Sequence, residues 1–298
     1  VVDQVDHPEK QKNLDPLVFD KLVDKDVFLN DILEKKLPNC DAIFHMGACS
    51  STTETNESFL NENNYEYTRH LANFCLEKEI RFIYASSGCA IYGSYGKMPL
   101  KEDFISMHLT TPYQINKMAG EMYSNFYFHH YGLKTVNCRF FNSFGPGEVP
   151  GQYRNVIPNF IYWSMQEKSL SLTGTGDETR DFTYVLDLVQ GLIKSAYYED
   201  AIGQAFNLAS GKETKIKDMI SMVNNATGNS TPITQYPARK WDTKKRLLAS
   251  IELAVSSPRF RTYSTKNIMP EQLGDWRVEV IDAEGNLLAQ KEFRILAE

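Results

Sequence analysis

Arg81-Phe82-Ile83-Tyr84-Ala85-Ser86-Ser87-Gly88 is the stretch that decides the fold. Four apolar residues run together without polar alternation and then give way to small polar ones. Such a run reads as a strand buried on both faces, and strands of that kind belong to parallel sheets covered by helices. Working outward, Asp41–Gly47 and Lys134–Phe141 repeat the pattern. Between the three runs lie amphipathic stretches at Glu57–Glu77 and Pro112–Tyr131, both long enough to cross from one parallel strand to the next. The fold class is therefore α/β.

After Gly145 the texture changes. Pro146, Gly147, Pro150 and Gly151 crowd a loop. Helices are expected near 155–166, at Leu186–Tyr197 and at Lys215–Asn225, with short strands between them. Trp276–Asp282 and Leu287–Ile295 alternate apolar with polar residues around Ala283-Glu-Gly-Asn286, which is a β-hairpin pattern. The expected division is 1–150 for the first domain, 151–254 for a smaller α/β lobe interleaved with it, and 255–298 for a small β segment. Val1-Val2-Asp3 reads as the end of a strand. The sheet is accordingly expected to be N-terminally truncated.

The chain has 298 residues, 42% hydrophobic and 23% charged, with a net charge of −6. That balance argues against nucleic acid as a partner. No run of eighteen apolar residues occurs, so no membrane partner is expected, and the opening residues lack a signal-peptide pattern. Cys40, Cys49, Cys75, Cys89 and Cys138 are scattered and lack metal-ligand spacing. They read as free thiols of a cytoplasmic protein, with no metal site.

Tyr113-Gln-Ile-Asn-Lys117 carries the chemistry. On a helix, positions i and i+4 share a face. An ammonium beside a phenol favours the phenolate, and a phenol so tuned can take and return a hydroxyl proton. Ser86-Ser87 ends one buried strand and Phe141-Asn142 ends the next. In open parallel sheets, ligands bind beyond the carboxyl ends of the strands, where these motifs converge.

The order SS…YG (Ser86, Ser87, Tyr92, Gly93), PYxxxK (Pro112 to Lys117), RxFNxxGP (Arg139 to Pro146) and RDFxYVxD (Arg180 to Asp187) resembles the NAD-dependent epimerase/dehydratase family. The resemblance covers roughly Val1 to Ala254. It implies a Rossmann-like cofactor domain, a substrate lobe, NAD or NADP as cofactor and a nucleotide sugar as substrate. It also implies Ser87, Tyr113 and Lys117 as catalytic residues. Asp3, Gly47, Ala48, Asn64, Ser86, Tyr113, Lys117 and Phe141 would hold the cofactor. Ser87, Asn142, Arg180 and Arg239 would hold the substrate, the arginines through its diphosphate. A homodimer through the helices near 57–77 and 112–131 is a further implication.

Within that family, residues 1–85 are similar to the ADP-L-glycero-D-manno-heptose 6-epimerases, which would place the protein in lipopolysaccharide biosynthesis. Residues 86–254 are more similar to the UDP-hexose 4-epimerases, and the last segment resembles a bacterial β domain of unknown function. Three departures stand out. The hydroxyl position four residues before Tyr92 is Gly88, with Ser87 adjacent. Gly151 stands where heptose epimerases carry a second acid/base lysine. No TGGxGxxG-type phosphate turn occurs in the chain, so weakened or lost cofactor binding is expected, and a scaffold or binding protein that does not turn over is the alternative. A dehydratase ranks below both, because Cys89-Ala90-Ile91 lacks the acidic residues expected before Tyr92.

Overall fold

The central strand, fully buried over Arg81–Ser87, organises the molecule. The structure is a computed structural model describing residues 1–5, 8–37, 40–93, 100–151, 155–238, 274–281 and 287–295. It divides into two compact units, Val1–Ile251 and Glu252–Glu298.

In the first unit, β1 (Ala42–His45), β2 (Arg81–Ser87) and β3 (Thr135–Phe140) pair in parallel, with Phe44 opposite Ile83 and Ala85 opposite Cys138. After β4 (Asn142–Phe144), β5 (Leu170–Thr173) and β6 (Thr179–Tyr184) comes β7 (Ala205–Leu208), which pairs in parallel with β3. The sheet order is β1-β2-β3-β7. Successive side chains of β2 point to opposite faces. Phe82 and Tyr84 join a cluster with Leu71, Phe74, Cys75 and Tyr127, whereas Ile83 joins Val136, Cys138, Leu188 and Leu192 on the other face. Helices therefore cover both sides of the sheet. They supply the apolar surface that an unalternating strand such as β2 requires.

The helices are α1 (Pro8–Leu14), α2 (Lys25–Leu33), α3 (Glu57–Leu60), α4 (Tyr67–Lys78), α5 (Gly88–Tyr92), α6 (Pro112–Tyr131), α7 (Val156–Met165), α8 (Val185–Tyr197) and α9 (Ile216–Thr227). A π-helical turn over Asn61–Glu66 joins α3 to α4, so the single helix expected from Glu57 to Glu77 is broken by one wide turn. α6 carries a complete capping box: the Thr111 hydroxyl accepts from the Gln114 backbone, and the Gln114 side chain accepts from the Thr111 backbone. Gly120 lets α6 approach β2 closely, since a Cβ there would lie 2.4 Å from the Tyr84 hydroxyl.

The later elements build a second layer. β6 pairs in parallel with β4 and antiparallel with β8 (Glu213–Lys215). β5 pairs in parallel with β9 (Ile233–Tyr236). α7 and α9 cover these strands through Phe160, Leu170, Leu172, Met219, Ile220 and Val223. In the second unit, β10 (Gly274–Ile281) and β11 (Leu287–Ile295) pair antiparallel, with Trp276 opposite Phe293. Val1–Asp3 forms a short parallel ladder with Lys21–Val23, outside the main sheet.

Candidate active site

A cleft of about 1400 Å³ opens at the carboxyl ends of the central strands. Its walls come from the loop after β1 (Ala48 and residues 50–53), the end of β2 (Ser86, Ser87), the first turns of α6 (Tyr113, Lys117) and the end of β3 into β4 (Phe140 to Ser143). The second layer contributes Trp163 and Arg180.

Tyr113 and Lys117 share one face of α6 and both line the cleft. Tyr113 is 8% exposed and Lys117 4%. The Lys117 ammonium donates to the Ala85 carbonyl at 2.8 Å and lies 5.1 Å over the Tyr84 ring. Burial pushes its pKa down from 10.5 to about 8, because the interior disfavours the charged form. The helix is thus anchored to the strand end by the same side chain that presents an ammonium to the cleft.

Ser87, at the end of β2, lines the cleft, and its hydroxyl makes no hydrogen bond among the described residues. Ser86 turns instead into a buried polar network and donates to the Glu121 carboxylate. Glu121 in turn forms a two-point ion pair with Arg139, at 2.6 and 3.0 Å, and both side chains are 2% exposed. Arg139 also donates to the Tyr92 hydroxyl and to the Glu102 carbonyl, each at 2.9 Å, and Tyr92 donates to Asn207. The network ties β2, β3, β7 and α6 together beneath the cleft floor.

The loop after β1 is held from below. Asn64, fully buried in the π-helical turn, accepts from the Cys49 amide at 2.8 Å and donates to the Cys49 carbonyl at 2.9 Å. The Asn64 carbonyl accepts from the Thr68 hydroxyl, so that hydroxyl's oxygen is left to accept from His45 Nε2–H. Burial, and then the charge of Lys117, lower the His45 pKa from 6.5 to about 3, and the ring stays neutral. A chain of side chains from β1 to the π-helical turn therefore fixes Ala48 and residues 50–53 in the cleft wall.

Of the residues singled out in the sequence, Ala48, Ser86, Ser87, Tyr113, Lys117, Phe141, Asn142 and Arg180 converge on this one cleft. Asn142 donates to Asn155 at 3.5 Å, and Arg180 donates to the Thr179 carbonyl at 2.7 Å. Asn64 lies beneath the wall and does not line it. Gly47 is exposed, with open space where a side chain would project, and is not part of the lining. Asp3 is also exposed and away from the lining, its carboxylate accepting from the Gln4 amide and facing Lys10 at 3.7 Å. Arg239 lies outside the described residues.

Sequence reasoning missed Glu121 and Arg139. The signal was available: an arginine inside an apolar strand needs a buried partner, and Glu121 sits one helical turn beyond Lys117 on the same face.

A family model described as the NAD dependent epimerase/dehydratase family matches residues 1–209, and one described as a protein of unknown function (DUF2914) matches residues 239–295. The ADP-L-glycero-D-manno-heptose-6-epimerase of Nitratidesulfovibrio vulgaris is 32% identical over 246 residues, covering 79% of this chain and 75% of that protein. An epimerase structure from Methanothermobacter thermautotrophicus is 40% identical with a TM-score of 0.73, covering 79% of this chain and 72% of the other. A UDP-N-acetylglucosamine 4-epimerase from Methanobrevibacter ruminantium, solved with UDP-N-acetylmuramic acid, is 30% identical with a TM-score of 0.71, covering 76% and 74%. Sequence and fold agree that the chain belongs to the NAD dependent epimerase/dehydratase family.

Proposed function

We propose that this cleft epimerises a nucleotide sugar, and that a UDP-hexose is its substrate. The observation that carries the reading is the convergence of Ser87, Tyr113 and Lys117 at the strand ends. Tyr113 takes the proton of the sugar carbinol while Ser87 donates to the same oxygen. Lys117, held by Ala85 and still an ammonium below its pKa of about 8, supports the charge that develops on the phenol. A nicotinamide cofactor, when bound, would supply reversible hydride acceptance, so that the reaction as a whole carries no net redox change. Ala48, Ser86, Tyr113, Lys117 and Phe141 would hold its nicotinamide half, and the lining fits that half: Lys117 spends one of its three N–H groups on Ala85. Among the described residues that line the cleft, none belongs to a glycine-rich turn that would meet the pyrophosphate half. Asp3, Gly47 and Asn64 remain part of the proposal as outer contacts or supports.

Asn142, Arg180 and Arg239 would hold the sugar nucleotide. Gly151 lines the cleft without a side chain, which favours a single acid/base and the hexose reading over the heptose one. On this reading, residues 1–150 form the cofactor domain and 151–254 the substrate lobe. The helices near 57–77 and 112–131, which expose Phe59, Met122 and Phe126, would form the face of a homodimer.

Calorimetric titration separates the substrate classes. A UDP-hexose is expected to bind at least about tenfold more tightly than an ADP-sugar, a difference of about 1.4 kcal/mol. Tighter binding of the ADP-sugar overturns the hexose reading.

A further inference from the structure

Gln114 is 1% exposed and follows Tyr113 directly. Its amide oxygen accepts from the Thr110 and Thr111 backbone N–H groups at 2.7 and 3.2 Å, which is ordinary helix capping. Its amide nitrogen does something that capping does not require. It donates to the Cys89 carbonyl at 3.0 Å and approaches the Cys89 sulfur at 3.4 Å, twenty-five residues upstream. Cys89 belongs to α5, the short helix that begins directly after Ser87. One buried amide therefore grips both the turn of α6 that carries Tyr113 and the turn that follows Ser87.

We propose that Gln114 is a positioning residue that sets the separation of the Ser87 hydroxyl and the Tyr113 phenol; this rests on the reading of those two groups as the proton-handling pair. A glutamate at this position caps a helix at least as well, because its carboxylate accepts the same N–H bonds and its charge suits the helix N-terminus. A glutamate has no N–H to offer the Cys89 carbonyl. The choice of amide over carboxylate is explained by the bridge to α5 and not by the cap. Proximity effects make such a bridge consequential, since a displacement of about 1 Å between reacting groups costs about a hundredfold in rate.

The test compares Gln114→Glu, Gln114→Met and Tyr113→Phe in the same epimerisation assay, with nucleotide-sugar affinity measured by calorimetry. Gln114→Glu is expected to lower kcat by about ten- to a hundredfold with sugar affinity unchanged. Gln114→Met, which removes bridge and cap together, is expected to lower kcat equally and to melt at a lower temperature. A Gln114→Glu protein with wild-type kcat overturns the proposal, and so does a Gln114→Met protein that melts early but turns over normally. If Tyr113→Phe itself turns over at the wild-type rate, the underlying reading of the pair has failed; if Tyr113→Phe is inactive and both Gln114 variants are not, only the positioning role has.

Discussion

The Phe141 ring sits where a side chain at Gly88 would have to go: its Cζ lies 2.4 Å from the position of a Cβ on Gly88. Phe141 also stacks on Tyr92, with ring centroids 6.2 Å apart. The space into which a side chain at Gly88 would project is filled by this aromatic ring, and the neighbouring Ser87 lines the cleft. Restoring the hydroxyl by Gly88→Ser is therefore expected to harm. It forces the ring into the cleft, costs about 1–3 kcal/mol of stability, and lowers activity. Ser87→Ala is expected to lower activity with little loss of stability. Thermal melting and rates measured on both variants decide; a Gly88→Ser protein more active than the parent contradicts the assignment of Ser87.

Asn64 offers Cys49 one acceptor and one donor at full burial. Asn64→Asp keeps the acceptor, loses the donor and buries a charge against a carbonyl. It is expected to cost more than Asn64→Ala, whose own penalty is about 2–3 kcal/mol from two unpaired backbone groups. Urea unfolding ranks the variants. Hydrogen exchange at the Cys49 amide reports the local effect, and unchanged protection in either variant contradicts the clip.

Lys117 makes stability depend on pH in a particular window. Below about pH 8 its buried ammonium is charged in both the folded and the unfolded chain, and the full burial penalty applies. Between about 8 and 10.5 the unfolded chain binds more protons, so this group's contribution to stability rises with pH. The rise amounts to about 3 kcal/mol for a shift of this size. In Lys117→Met that rise is absent: the variant is expected to gain on the parent at pH 7 and to lose the advantage by pH 10. Urea titrations at both pH values give the difference, and an equal offset at each contradicts the account.

The Glu121–Arg139 pair is closed to solvent on both sides. Breaking it from one side, by Glu121→Gln or Arg139→Met, is expected to cost about 3–5 kcal/mol, because the remaining charge is stranded. Replacing both with apolar residues recovers much of that loss. Additive losses in the double variant, measured by urea unfolding, contradict the pairing.

The fold was legible because β2 is apolar without alternation and because α6 begins and ends where its cap and Gly132 dictate. The expected helix over Pro112–Tyr131 is the observed one. The π-helical turn was not legible. It lies inside a run whose apolar spacing suits an ordinary helix, and what distinguishes it is the tertiary bond from Asn64 to a loop fifteen residues earlier. The cleft residues were found through motif order. Their supports, Glu121, Gln114 and His45, were not, because burial and pairing across distant strands leave little trace in local sequence. Asp3 shows the converse: in place of the strand end expected there, Val2 makes an isolated bridge to Val23 outside the named strands, and the Asp3 carboxylate turns to Gln4 and Lys10.

Tyr113, on the function proposed, handles a sugar proton during epimerisation. The most direct measurement follows a UDP-hexose by proton NMR in the presence of the protein and millimolar NAD, while absorbance reports any reduced cofactor. The expected result is interconversion of two epimers with no net accumulation of reduced cofactor, slowed by about two to four orders of magnitude in Tyr113→Phe. Unchanged turnover in Tyr113→Phe, net reduction of the cofactor as sugar is consumed, or no interconversion by the unaltered protein would contradict it.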